Sequence, residues 1–432
     1  MLKFKKVTII SLFILSHLTL VAQNNTNSPY TRYGYGELAD KSFGAGRAMG
    51  GIGYGLRSSK QINPLNPASY SSMDSLTFLF DLGVAGQLSW FDDSFNKQKN
   101  INGNLEYVAL QFPIKKWLAM SAGLLPFSYV GYDFGSVEPD ILPDGTADST
   151  LTSVRMYDGS GGLTQLYAGV SVNFLKRRLA VGANFSYLFG NITHERSLTN
   201  NTDVSNPTVI SSWQKIRVSD VKMDFGVQYT HPFSARERFT VGATYSPKNQ
   251  LSNKVYHIEQ HIQGSSVVSS TGDTTKNVPM GLPDSYGIGF TYVKDNKFTL
   301  GADFLYEQWK KVDFPFVDKQ TYFDNRFRIG AGAEFIPKYM GKSYFGKINY
   351  RVGAHYSNSY LKINDKGYNE FGGSVGFGLP LPQLFGHTSM LNISLEYVKV
   401  KPEVSTMIDE QYFRFTLNYT FNEGWFRKWK LE

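Results

Sequence analysis

From about residue 75 onward, apolar and polar side chains alternate with a period of two, most cleanly between Gln411 and Phe421. Phe413, Phe415, Leu417, Tyr419 and Phe421 fall on one side of an extended chain, and Tyr412, Arg414, Thr416 and Asn418 on the other. Such alternation marks a strand with one buried face. Leu179, Val181, Ala183, Phe185, Tyr187 and Phe189 alternate in the same way with Ala180, Gly182, Asn184 and Ser186, and Ile348, Tyr350, Val352, Ala354 and Tyr356 with Lys347, Asn349, Arg351, Gly353 and His355. The pattern predicts strands near 75–90, 103–113, 117–130, 160–174, 179–190, 217–231, 237–249, 284–294, 297–309, 322–335, 344–357, 368–379, 387–400 and 409–421. These are about fourteen, an even number of the kind single-chain bacterial barrels use.

The connections sort into two kinds. Ile114–Lys116, Leu175–Arg178, His231–Arg236, Lys294–Lys297 and Ile336–Ser343 are tight and mostly basic. Gly131–Gly159, Asn191–Ile216, Gln250–Pro283, Lys310–Thr321, Asn358–Gly367 and Lys401–Ile408 are longer and polar. A soluble sandwich would have to bury every aromatic face and has no reason to segregate its loops, whereas a bilayer covers those faces from outside. The expectation is an all-β, transmembrane antiparallel β-barrel over residues 75–421, in the outer membrane of a Gram-negative bacterium, with both termini periplasmic. Inward positions are small in places: Gly330 and Gly332, then Gly372, Ser374, Gly376 and Gly378 in one row, which leaves room for a filling. Other inward positions carry both signs of charge: Asp220, Lys222, Asp224, Asp303, Glu307, Arg326, Arg328, Glu334, Lys347, Arg351, Glu396 and Arg414. Mixed signs favour pairing across the lumen or with the lumen's filling over an ion-selective ring, which needs one sign.

Composition narrows the classes. The chain has 432 residues and no cysteine, which excludes disulfides, thiolate metal sites and an acylated cysteine. Residues 1–22 read as a signal peptide: Lys3, Lys5 and Lys6, an apolar run from Val7 to Val21 interrupted by Ser11, Ser16, His17 and Thr19, then Ala22. Without it the formal charge falls from +8 to +5, too small an excess to suggest a nucleic-acid partner. Residues 422–432 form a C-terminal tail whose Trp425-Phe426-Arg427-Lys428-Trp429-Lys430 suits an interfacial anchor or a docking surface.

Catalytic constellations are sparse. His257-Ile258-Glu259-Gln260-His261 places three metal-ligand types on one side of a strand, but at the wrong spacing for the helical zinc motif. His355 has no readable serine or carboxylate partner for hydrolysis. No enzyme, cofactor or metal is expected. Phe127, Tyr129, Tyr132 and Phe134, around Pro126 and Gly131, either line an apolar pocket or belong to an interfacial aromatic girdle.

Residues 23–74 lack alternation and are rich in Gly and Asn. Their core is Gly44-Ala45-Gly46-Arg47-Ala48-Met49-Gly50-Gly51-Ile52-Gly53, followed by Asn63-Pro64-Leu65-Asn66-Pro67-Ala68-Ser69-Tyr70. This is not a dinucleotide fingerprint, since no strand precedes it and no acidic residue follows at the required distance. It resembles the N-terminal plug, or hatch, of the FadL/TodX family of outer-membrane transporters for hydrophobic compounds. That plug has a Gly-Ala-Gly-x-Ala-x-x-Gly pattern and then Asn-Pro-Ala; here the glycine spacing differs by one residue and Asn66-Pro67-Ala68 matches. The resemblance implies a plug over 23–74 built on Gly44, Gly46, Gly50, Asn63, Asn66 and Pro67. It also implies passive uptake of a hydrophobic, fatty-acid-like ligand through the lumen or sideways through a kinked strand. Barrels that resemble this family also serve as non-transporting subunits of outer-membrane assembly or secretion complexes. The expected partners are thus outer-membrane lipid, a hydrophobic ligand, and outer-membrane or periplasmic proteins.

Overall fold

The computed structural model describes residues 26–141, 147–200, 208–315, 320–338, 343–381 and 388–424. The leader read over 1–22 and the tail from Trp425 lie outside the described residues. Fourteen antiparallel strands make the wall. They are β1 (Thr77–Asp92), β2 (Lys97–Lys115), β3 (Leu118–Ile141), β4 (Ala147–Phe174), β5 (Leu179–Asn200), β6 (Thr208–Pro232) and β7 (Glu237–Ser246), then β8 (Ser285–Lys294), β9 (Phe298–Glu307), β10 (Arg326–Phe335), β11 (Asn349–Asn358), β12 (Tyr368–Pro380), β13 (Met390–Pro402) and β14 (Asp409–Gly424). Each pairs with its neighbour in sequence, and β1 pairs with β14 from Thr77↔Gly424 to Asp92↔Asp409, so the sheet closes without an edge.

The alternation decides which face points where. Phe185, Tyr187, Ile288, Phe304, Val352, Phe371 and Phe415 are 40–55 % exposed on the outer wall, where hydrocarbon covers them. Their inward neighbours, among them Asn184, Ser186, Asp303, Arg351 and Thr416, are buried against the filled lumen. Tight turns close one rim; between β8 and β9 the chain reverses at Asp295 and Asn296, both at positive φ, residue types that tolerate the left-handed region.

At the opposite rim the strands outrun the expectation. Segments read as loops over Gly131–Gly159 and Asn191–Ile216 are strand wherever described, carrying β3, β4, β5 and β6 well past the apolar belt. Within Gln250–Pro283, a hairpin of Asn253–Gln263 and Ser266–Lys276 extends this fin by pairing with Thr208–Val218 of β6. Above the belt the outer face of a strand no longer meets lipid, so the row of large outward apolar residues stops although the hydrogen-bond ladder continues.

One seam of the wall is incomplete. The β2–β3 ladder ends at Val108↔Leu124, and beyond it β2 continues only along β1. A bulge between Pro126 and Ser128 turns β3, and the segment Glu37–Leu38 takes the vacant place beside it, pairing Glu37↔Tyr129 and Leu38↔Ser128.

Candidate functional site

The N-terminal segment runs through the lumen from the long-loop end to the tight-turn end. Near its start, the Ser28 hydroxyl donates to Glu410 (2.6 Å) and the Tyr30 hydroxyl to the Ile408 carbonyl (2.6 Å), both at the long-loop end of β14. Near its finish, the Arg177 guanidinium in the β4–β5 turn donates to the Met73 carbonyl (2.8 Å).

Between these ends lies a glycine-dependent seat. Gly50 has φ +71, and a Cβ there would come within 2.4 Å of the Ala354 carbonyl oxygen. From the wall side, a Cβ on Gly353 would stand 2.1 Å from the Gly50 nitrogen. Gly330 and Gly332 likewise face the Gly50 and Met49 carbonyls. The bare strands β10 and β11 therefore hold the segment backbone to backbone, which only glycine permits. Gly44 and Gly46 sit in a single helical turn, Gly44–Arg47, against β12 to β14.

Polar side chains fix the rest. Asp303 on β9 accepts from the Gly53 and Tyr54 amides (2.6 and 2.8 Å). Asn63 donates to the Gly53 and Leu56 carbonyls (2.6 and 3.0 Å), closing a loop on itself. Asn66 caps the short helix Pro67–Ser72 by accepting from the Ala68 amide (3.1 Å), and its amide donates to the Tyr54 and Val227 carbonyls. Three ion pairs join segment to wall: Asp40 to Arg328 (2.9 Å), Arg47 to Glu106, and Glu37 to Arg414. Burial opposes ionisation of Asp40, but Arg328 and Arg47 overcome it and hold its carboxyl well below the usual range. The acidic partners Glu37, Asp40 and Glu106 were not singled out from sequence. Glu37 and Asp40 lie in the segment without alternation, and Glu106 sits on β2 where no charged neighbour two residues away marks an inward row, so no local pattern pointed to them.

Within this packing remains a cavity of about 160 Å³, bounded by Lys41, Asp40, Glu106, Lys222, Asp224, Arg328 and Tyr129 among others. The Lys41 ammonium lies 5.5 Å from the Phe127 ring centre. The long-loop end above it is filled by apolar side chains. Tyr35 and Trp309 are essentially buried, with ring centres 5.6 Å apart, and Phe323, Tyr360, Leu361, Met280, Leu282, Ile216 and Val218 surround them. The Tyr35 hydroxyl donates to the Gly281 carbonyl (2.5 Å).

Phe127 and Tyr132 belong to this cluster and Phe134 packs against it, while Tyr129 borders the cavity beside the incomplete seam. Phe127, Tyr129 and Tyr132 are thus buried. His355 faces two carboxylates, Glu370 at 2.9 Å and Glu396 at 3.7 Å. His257, Glu259 and His261 lie on the exposed hairpin, where His261 approaches Glu259 at 3.3 Å.

The BamG family model matches residues 2–432. No curated protein matches the chain in sequence. Among solved structures, a FadL homologue from Pseudomonas aeruginosa is 12 % identical, with a TM-score of 0.58, over 89 % of this chain and 99 % of that one. The toluene transporter TodX of P. putida is 14 % identical, with a TM-score of 0.55, over 90 % and 100 %. The toluene transporter TbuX of Ralstonia pickettii is 14 % identical, with a TM-score of 0.55, over 88 % and 98 %. At such identities the likeness to FadL and TodX is one of fold, and the family whose model spans the sequence is a different one.

Proposed function

The chain belongs to the BamG family, and from that premise we propose that it is a plugged, sealed barrel of the outer membrane that docks other proteins within an outer-membrane assembly or secretion complex. The observation that carries this reading is the filled long-loop end. Where a hydrophobic ligand would enter, Tyr35, Trp309, Phe323 and Tyr360 already form a packed core. The ion pairs beneath it fix the plug in one register, since a shift that left one partner of such a pair buried without the other would cost about 3–5 kcal/mol. In this reading the tight-turn rim faces the periplasm and the fin stands outside the cell. Purification in mild detergent tests it: a partner protein at fixed stoichiometry is expected, and reconstituted barrel should not admit toluene or fatty acid into vesicles. A barrel that purifies alone and carries such compounds would refute the proposal.

A second reading is favoured by the incomplete seam. Withdrawal of Glu37–Leu38 from β3 would connect the cavity to the bilayer, a sideways path for uptake of hydrophobic small molecules that begins at Phe127 and Tyr129, with Tyr132 and Phe134 in the cluster above it. Toluene and similar compounds, named for TodX and TbuX, are the ligands to try.

A further inference from the structure

The tight-turn end of the lumen opens into a bowl of about 940 Å³. Its floor is the lumenal segment at Arg57, Ser58, Ser59 and Lys60, and its sides are inward-facing wall residues. The size matches sites that accept a ligand or a short peptide rather than one side chain, which run to about 300–1,000 Å³.

Its charge is one-sided. Arg57, Lys60, Arg177, Arg238, Lys347 and Arg351 line it, against the carboxylates Asp74 and Glu334. Glu334 is already committed to Arg351 (2.7 Å). At the floor, Nη1 of Arg57 is buried without a hydrogen-bond partner. Burial and the neighbouring Arg177 push that guanidinium down to about 10, as expected for a cation lacking a counter-charge. Around the bowl the rim adds exposed Lys115, Lys116, Lys176 and Lys338. A concave, like-charged surface with low-dielectric walls focuses its potential on whatever enters it.

We propose that this bowl is the docking site for an acidic peptide segment of a water-soluble partner protein. The inference rests on the docking function proposed above and names the face and the chemistry of the partner. The lining side chains point into the lumen, so the strands themselves stand between them and lipid headgroups, and the occupant must arrive through water. The chain's own tail, with Arg427, Lys428 and Lys430, carries mostly the same sign as the bowl. An Asp/Glu-rich segment supplies the missing carboxylates, including one for Arg57.

The test uses full-length barrel in detergent and fluorescence anisotropy with a fluorescein-labelled peptide of alternating Glu and Asp, beside its Gln/Asn counterpart. Only the acidic peptide should bind, and binding should weaken about tenfold or more as salt rises from about 50 to about 300 mM. Arg57→Gln with Lys347→Gln should weaken it about tenfold, and Lys254→Gln with Lys276→Gln on the external hairpin should leave it unchanged. Heat-modifiable gel migration verifies that each variant is folded. Equal binding of both peptides, or indifference to the bowl variants, overturns the inference, as does full competition by millimolar inorganic phosphate, which would mark a small-anion site. In cells, a photoreactive residue at Ser59 should capture an acidic segment of a partner. Capture of a neutral or basic segment, or a partner that co-purifies undiminished with the bowl variants, overturns this inference while docking stands. A barrel that co-purifies with nothing and binds neither peptide removes both.

Discussion

The Arg47–Glu106 pair offers a direct measure of how firmly the lumenal segment is held. The two side chains are 5 % and 9 % exposed and join the helical turn of the lumenal segment to β2. Arg47→Met keeps the length and apolar stem of the side chain but leaves the Glu106 carboxylate buried without its cation. Removing one partner of a buried pair costs about 3–5 kcal/mol, whereas replacing both with apolar groups is often close to neutral. At about 1.4 kcal/mol per tenfold, the population with the segment released should rise about 100- to 4,000-fold in the single variant. The absence of cysteine makes this measurable. Ser42→Cys introduces one thiol at a site 1 % exposed beside Asp40, and every rate is compared with that of the Ser42→Cys parent, so any effect of the probe itself is common to all variants. Maleimide labelling of this thiol in detergent reports release. The rate should rise by the stated factor in Arg47→Met and return to within about tenfold of the parent in Arg47→Met/Glu106→Met. A rate unchanged by the single substitution would show that the pair does not hold the segment. A double variant as fast as the single one would show that lost packing, not stranded charge, is responsible.

Gly353→Ala places a methyl 2.1 Å from the Gly50 nitrogen, so the barrel should lose about 1–3 kcal/mol, read as a lower midpoint of heat-modifiable gel migration. Trp309→Ala empties the centre of the long-loop cluster and should cost about 3–5 kcal/mol; if that cluster is the seal, planar-bilayer conductance appears in this variant and is absent from the parent. Leu38→Cys with Ser128→Cys joins directly paired residues, whose spacing in an antiparallel ladder permits a disulfide. The oxidised variant should keep its co-purifying partners, whereas loss of hydrocarbon entry on oxidation would establish the sideways route instead.

The wall was legible because lipid imposes period two. Tyr286, Ile288, Phe290 and Tyr292 show it in four successive outward positions. It was illegible where that constraint ends: the ladders of β5 with β6 run on through Asn191–Asn200 and Thr208–Ile216, and the hairpin follows, with no lipid-facing row to announce them. For the hairpin a weaker signal existed in Gly264, which turns at φ +57 ahead of Val267 and Val268. The glycine rows and the mixed lumenal charges pointed to a filled interior. Their pairing, such as Asp40 with Arg328 or Asp303 with the Gly53 and Tyr54 amides, joins positions about 250 or more residues apart. No local pattern encodes that. Phe127 was singled out as an aromatic, but its inward burial depends on the bulge at Pro126–Ser128, which shifts the register of the strand.

The meeting of Gly50 with Gly330 and Gly353 also limits how the interior can move. A joint made of side chains can loosen by rotating about χ angles; one made of peptide groups has no such freedom. The segment at Met49–Gly51 can leave this mount only by sliding as a block or by bending β10 and β11, which their own ladder opposes. Of the whole lumenal segment, Met49–Gly51 is therefore the stretch with the least room to shift, and the contacts on either side of it, made by side chains, are the ones that can give first.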